Sequence, residues 1–323
     1  MKAVLFGTGW RAMFFVRIAE MVPSLLTITS VYTHAEERAE EMRARGLNAS
    51  ADLNEALSAE HDAVIVASGK NGFYEMMMKL KERGEFIISE TSFLPLSDRE
   101  LATLEDAKGA TAEQYQFTPL YASIIASLPM IGRIDQVYIS GLHNHHAASI
   151  ARAVLGIDDE IPELLGSADY GSRMLKTGER KGMNTAGEME EYTRSLRMLK
   201  FSKGLFINDF SSNQYHSYFY GKRIEIRGEK GIITEQGVNT VDDNNYPVFL
   251  PFVFHRDISV GNGSMTLTHV SLGERTVFIN PFYPENLNDD EIGIALLLKN
   301  IEEGLQYPSV RDGILDAKLG KML

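Results

Sequence analysis

Residues Gly7-Thr8-Gly9-Trp10-Arg11-Ala12 follow a short apolar run, Ala3–Phe6, and open an apolar-periodic segment, Arg11–Met21. In a strand–turn–helix of this kind the first glycine makes the tight turn and the second lets the backbone approach a pyrophosphate. A small third residue lets the helix pack close on the strand. The helix N-terminus then turns unpaired N–H groups and partial positive charge toward phosphate. Gly7, Thr8, Gly9, Trp10, Arg11 and Ala12 are therefore candidate dinucleotide-binding residues.

The pattern around this turn repeats. Leu26–Tyr32, Ala63–Ala67 and Phe86–Ser89 read as strands, and Ala35–Arg45, Phe73–Arg83 and Asp98–Ala107 as helices. Strands alternating with helices make βαβ units and a parallel sheet. Continuous apolar strands such as Ala63-Val64-Ile65-Val66-Ala67 suit a sheet covered on both faces. The fold class is α/β, a Rossmann-type doubly wound parallel sheet over residues 1–118, the dinucleotide-binding domain.

Beyond residue 118 the texture changes. Leu120–Ile131 and Ala147–Leu155 read as helices. Ser195 to Phe278 is a series of β-type runs broken by turn signals at Gly204, Gly221-Lys222, Gly228 to Gly231, Asp242 to Asn245 and Gly261 to Gly263. That spacing predicts a largely antiparallel sheet, so residues 119–323 are expected to form an α+β domain for substrate and oligomerisation, ending in helix over 285–323. Gly166 to Glu188, polar and glycine-bearing, reads as a mobile lid with Arg173, Lys176, Arg180 and Lys181 on it.

Composition narrows the chemistry. At about 150 residues per domain, 323 residues make two domains. Lys+Arg 32 against Asp+Glu 44 gives a net charge of −12, which argues against nucleic acid as a partner. With Cys 0 there is no thiolate metal site, iron–sulfur cluster or cysteine nucleophile. The N-terminal apolar run is too short for a signal peptide and no segment approaches membrane-spanning length, so the expected location is cytoplasmic, with no membrane partner.

Cofactor choice in such folds is read at the end of the second strand. An acid there holds the ribose of NAD, whereas small polar and cationic residues accept the 2′-phosphate of NADP. The stretch is Val31-Tyr32-Thr33-His34-Ala35-Glu36-Glu37-Arg38. Thr33, His34 and Arg38 are the informative residues, and with no acid before Glu36 the expected cofactor is NAD(P), leaning to NADP.

Four segments in this order resemble the Gfo/Idh/MocA oxidoreductases (the glucose–fructose oxidoreductase and inositol dehydrogenase family). They are the glycine loop at 7–12, Asp62-Ala63-Val64-Ile65-Val66-Ala67-Ser68, Phe86-Ile87-Ile88-Ser89-Glu90, and His146-Ala147-Ala148-Ser149-Ile150-Ala151-Arg152-Ala153-Val154-Leu155-Gly156. With the β-rich second half, the resemblance spans essentially the whole chain. It implies a homodimer or homotetramer formed through the C-terminal sheet, Ser68, Asn71 and Glu90 at the nicotinamide end, and His146 in the place of the family's catalytic histidine.

The departures are as informative. Where the family has Glu-Lys-Pro this chain has Glu90-Thr91-Ser92, and the family's catalytic Asp falls on Leu142. The family histidine in the turn after the fourth strand falls on Phe73. Hydride transfer still needs a proton supplied or removed. The remaining candidates are His146, Tyr121 (with Tyr115 beside it) and Lys70, the last in Ser68-Gly69-Lys70-Asn71-Gly72. The expected reaction is hydride exchange between nicotinamide and a small polar carbonyl, hydroxy or imine substrate. Gln116-Phe117-Thr118-Pro119 and the shortened loop before Leu155-Gly156 also resemble the family's thiazolinyl imine reductase branch, although that branch's tyrosine is Thr118 here. The rival from another class is a dinucleotide-binding sensor or regulator that lacks the catalytic set.

His143, His145 and His146 lie within four residues, but their spacing aims no three imidazoles at one point in a strand or a helix, so no metal is expected. They read as structural or as part of a polar substrate pocket. Tyr215, Tyr218, Phe219 and Tyr220, with Phe249, Phe252 and Phe254, read as the packed face of a sheet and a subunit interface.

Overall fold

A computed structural model describes every residue except Lys70, Lys181, 259–262 and Ser264. The candidate Lys70 therefore lies outside the described residues.

The N-terminal half alternates as the apolar periodicity predicts. β1 (Lys2–Phe6), β2 (Thr27–Tyr32), β3 (Ala49–Ser50), β4 (Ala63–Val66), β5 (Ile87–Ser89) and β6 (Gly109–Thr111) form one six-stranded sheet in the order β3-β2-β1-β4-β5-β6. Every pair is parallel, with Leu5 set between Val31 and Ile65. Helices α1 (Trp10–Met21), α2 (Glu36–Ala44), α3 (Leu53–Leu57), α4 (Phe73–Arg83) and α5 (Asp98–Leu104) connect the strands. All four residues of β4 are buried, as a strand covered on both faces requires. Local chemistry marks the helix ends: Ser97 and Glu100 close a capping box on α5, and Gly84 stops α4 in the left-handed conformation. β3, α3 and β6 lie outside the periodicity because two to five residues are too few to show a period.

From residue 119 the chain forms α6 (Pro119–Ser127), β7 (Ile134–Ser140) and α7 (Asn144–Leu155), then the long strands β8 (Glu163–Leu175) and β11 (Met189–Phe201), with a small hairpin of β9 (Gly178–Glu179) and β10 (Gly182–Met183) between them. β12 (Gly204–Ser211), β13 (Arg223–Gly228), β14 (Gly231–Thr234), β15 (Gly237–Val241), β16 (Pro247–Ile258), β17 (Met265–Leu272) and β18 (Arg275–Ile279) complete a ten-stranded sheet. Its order is β18-β17-β16-β15-β14-β13-β7-β12-β11-β8. β7 pairs parallel with β12 and antiparallel with β13, so the sheet is mixed but largely antiparallel. Val137, Ile139, Phe206, Ile224, Ile226 and Ile233 are buried along its centre.

The expected mobile lid at 166–188 is corrected. Residues 163–175 are an edge strand, paired residue by residue with β11 from Leu175–Met189 down to Glu163–Lys200. Nearly every β8 side chain is exposed. A strand held by backbone pairing and wet on both faces shows no alternation, which is why its polar, glycine-bearing sequence reads as loop.

The chain ends in α8 (Asp289–Glu302) and α9 (Val310–Gly320). Two compact units result: residues 1–119 with 256–268 and 280–314, and residues 120–255 with 269–279 and 315–323. Within the first, Arg17 Nε meets Glu291 at 2.7 Å, tying α1 to α8. Gly293 lets α8 close in, since a Cβ there would stand 2.8 Å from the Gln114 carbonyl oxygen. The Thr111 N–H donates to the Pro308 carbonyl at 2.8 Å, extending the β6 edge. Among the described residues no helix is long and apolar enough to cross a membrane.

Candidate functional site

In the first unit the chain leaves β1 at Gly7 with φ +114, and the Gly7 N–H donates to the Tyr32 carbonyl at 3.0 Å. A Cβ at Gly7 would sit 2.5 Å from the Ala67 carbonyl oxygen and 3.1 Å from the Ser68 nitrogen, so only glycine fits. The turn thereby sits against the start of the loop that follows β4, which carries Ser68, half-buried, and Asn71, exposed. Gly9 is the N-cap of α1, with extended backbone and no side-chain cap. A Cβ on Gly9 would meet nothing within 4 Å. Thr8 is half-buried, Trp10 is exposed and packs on Phe14 at 4.5 Å, and Ala12 is fully buried against the sheet. Among the described residues the helix N-terminus is thus uncapped and faces open space, which fits a phosphate-bearing ligand.

Arg11 turns inward. Its Nε meets Glu90 Oε2 at 3.0 Å and its Nη2 donates to Gln114 Oε1 at 3.1 Å. Glu90 follows β5 and Gln114 lies beyond β6, so the pair crosses the C-terminal edge of the parallel sheet, where ligands bind in open α/β folds. Arg11 Nη1, Glu90 Oε1 and Ser89 Oγ are buried with no hydrogen-bond partner among the described residues. Burial pushes the Glu90 carboxyl up, against the pull of Arg11. The adjoining Glu113 is pushed up to about 8 by burial, opposed by the Tyr115 N–H and the Arg11 charge. Burial thus favours the neutral form of both carboxyls beside the Arg11 guanidinium. Sequence reasoning missed Glu113 and Gln114 because the strand that delivers them, β6, is three residues long.

At the end of β2, Thr33 is buried and its N–H donates to Ser50 O at 3.2 Å. His34 is exposed, with Nδ1 3.1 Å from the Tyr32 hydroxyl. Arg38 is exposed on α2 and meets Glu41 at 2.6 Å. His34 and Arg38 therefore lie on the expected segment, each already engaged with a neighbour on the same segment.

In the second unit His143 is the N-cap of α7, and His146 is buried within that helix. A buried ion pair, Arg152 Nη1 to Asp316 Oδ1 at 2.6 Å, fixes α7 to the end of α9. Tyr121 is buried in α6. The expected packed aromatic face is corrected: Tyr215, Tyr218, Phe219 and Tyr220 lie in the connection between β12 and β13, and Tyr218 and Phe219 are more than 60% exposed. Tyr215 instead stacks on the His143 ring, centroids 4.1 Å apart and 11° from parallel. Tyr220 donates to Asp209, which also accepts from Tyr138 at 2.8 Å and from Arg194 Nε at 2.7 Å. Burial works to raise the Asp209 carboxyl, but these donors and the Arg194 charge hold it below the usual range. The same contact and burial push Tyr138 up to about 12. Among the described residues no three His, Asp or Glu side chains converge as a metal site.

No protein-family model matches the sequence, and no curated protein matches it. Solved structures do. A probable dehydrogenase from Thermotoga maritima superposes with a TM-score of 0.65 at 17% identity, over 100% of this chain and 96% of that one. A levoglucosan dehydrogenase in complex with NADH gives 0.65 at 17%, over 100% and 95%. A myo-inositol dehydrogenase from Corynebacterium glutamicum gives 0.62 at 17%, over 99% and 94%. The chain shares its fold with these dehydrogenases over essentially its whole length.

Proposed function

We propose that this chain is a nicotinamide-dinucleotide-dependent oxidoreductase acting on a small polar carbonyl, hydroxy or imine substrate. The observation that carries the reading is the uncapped N-terminus of α1 behind the left-handed turn at Gly7, with open space over Gly9. The fold shared with dehydrogenases, one of them solved with NADH, supports it. Hydride transfer is the chemistry such a cofactor supplies when bound. The α1 amides would hold the pyrophosphate, and Ser68, Asn71 and Glu90 would flank the nicotinamide. Thr33 and His34, with no acid on the segment before Glu36, favour NADP over NAD. His146 is the residue assigned to hold the substrate or move its proton, with Tyr121 as a second donor. The sheet carries exposed Phe249, Val253, Met265 and Ile279, which suit pairing with another copy. The absence of cysteine suits a cytoplasmic protein.

Calorimetric titration tests the reading: NADPH is expected to bind more tightly than NADH, and His146→Ala to abolish turnover while leaving that binding intact. Binding of neither dinucleotide overturns it. A second reading, a dinucleotide sensor, is favoured by Thr91 standing where the family has its lysine. It gains if NADPH binds but no substrate in a sugar, inositol, amino-acid and imine panel is turned over.

A further inference from the structure

A strand that closes a sheet leaves one row of N–H and C=O groups unpaired, a template for another strand. Proteins that stay apart block such a row with proline, lysine, a bulge or a covering segment. β8 is the last strand of the ten-stranded sheet, and among the described residues only β11 pairs with it. Its ladder slips once, between Gly166 and Leu164, so that Leu165 stands out as a bulge. From Gly166 to Leu175 the register then runs unbroken, a regular edge of about 30 Å at the rise of a strand. That stretch contains no proline and no lysine. Among the described residues, 163–175 make no backbone–backbone hydrogen bond beyond the ladder. A side chain does reach them, Arg197 Nη1 lying 3.4 Å from the Ala168 carbonyl.

The charges on this edge are arranged to match themselves. Between Leu164 and Leu175 the charged residues are Asp169 and Arg173, with Gly171 midway between them. The two-residue period of a strand turns both toward the same face. When two identical strands pair antiparallel, a two-fold axis relates them and each contact occurs twice. With the axis at Gly171, Asp169 of each copy stands opposite the partner's Arg173. Tyr170 then stands opposite Ser172 and Ala168 opposite Met174, so no like charges meet. A one-residue slip would lose both charge pairs and turn every side chain to the wrong face. Asp169 is held ionised by Arg197 at 2.8 Å, which keeps its carboxyl below the usual range. A carboxylate has acceptor sites left for a second guanidinium. Arg173 is exposed, and among the described residues it forms no salt bridge, although Glu191 lies directly across on β11. Tyr170 and Leu175, both exposed, would gain cover from an added strand.

We propose that β8 pairs antiparallel with β8 of a second copy of this chain, joining two ten-stranded sheets edge to edge about Gly171. This edge is separate from the exposed apolar residues of β16 to β18, which lie at the opposite end of the sheet order. The pairing needs no dinucleotide and stands apart from the oxidoreductase reading.

Sedimentation velocity of the cofactor-free full chain over a concentration series tests it. The wild type is expected to assemble in an even number of chains. Arg173→Asp sets acids opposite acids, and Asp169→Arg sets bases opposite bases. Either variant alone should halve the assembly and weaken that association about thirtyfold or more, because two pairs turn from attraction to repulsion. Mixed in equal amounts, the two variants should associate again, since each acidic edge then meets a basic one. That rescue by mixing separates edge pairing from mere damage to the fold. A wild type that stays monomeric, variants that assemble as the wild type does, or a mixture no stronger than its parts overturns the proposal.

Discussion

Glu113→Gln should flatten the pH dependence of this protein's stability. Glu113 is fully buried beside Arg11 and has its carboxyl pushed from the ordinary 4.5 up to about 8. Above about pH 4.5 the unfolded chain releases this proton, while the folded protein keeps it until about pH 8. The folded state therefore binds more protons through that window, and stability falls as pH rises across it. At about 1.4 kcal/mol per pH unit, the loss from pH 5 to pH 8 attributable to this one group is about 3.5 kcal/mol. Glutamine has the same shape, stays neutral throughout, and its carbonyl oxygen can still accept the Tyr115 N–H that now meets Glu113 Oε1 at 3.1 Å. It also removes the repulsion from Asp290 that helps raise the carboxyl. Urea unfolding followed by circular dichroism at pH 5.0, 6.5 and 8.0 measures the effect. The variant should match wild type near pH 5 and exceed it by about 3.5 kcal/mol at pH 8, since all other titrating groups are common to both proteins. Parallel pH profiles would refute the argument, because they would mean that Glu113 ionises in the folded state as readily as in the unfolded one.

Two further perturbations separate fold from site. Gly7→Ala is expected to destabilise the protein by about 2–4 kcal/mol, through φ +114 and a Cβ 2.5 Å from the Ala67 oxygen. Gly9→Ala, with nothing within 4 Å of its Cβ, should leave the melting temperature unchanged yet weaken dinucleotide binding about tenfold or more, because the methyl group occupies the phosphate's space. In the second unit, Asp316→Ala removes the 2.6 Å partner of the buried Arg152 guanidinium, which keeps Asp158 at 3.9 Å, and should cost about 1–3 kcal/mol in urea unfolding. The double replacement Arg152→Met with Asp316→Leu should recover much of that, and a single-variant loss below about 1 kcal/mol would contradict the burial argument.

Much of the first unit is legible in the sequence. Phe73–Arg83 is read and found as a helix with the same bounds, because its apolar side and the glycine that ends it are both local. Local signals failed where an element was short or its side chains faced water. β6 is three residues long, and missing it hid Glu113 and Gln114. β8 is exposed on both faces, so its pairing with β11 left no mark in its side chains. The aromatic run at 215–220 has strand-like composition but serves as a connection, where its rings meet imidazoles and carboxylates instead of a sheet face.

By itself, then, the sequence determined the parallel sheet and the glycine turn at its edge. Both follow from torsional and periodic demands met within about twenty residues. Tertiary structure decided where the charges go. Arg11, on the segment expected to face phosphate, is drawn inward to Glu90, 79 residues away, and Gln114, 103 away. His143, which on spacing alone suited no metal, stacks on Tyr215, a ring brought in by another segment. Pairings of that kind depend on how distant strand ends are brought together and desolvated, which no local pattern encodes.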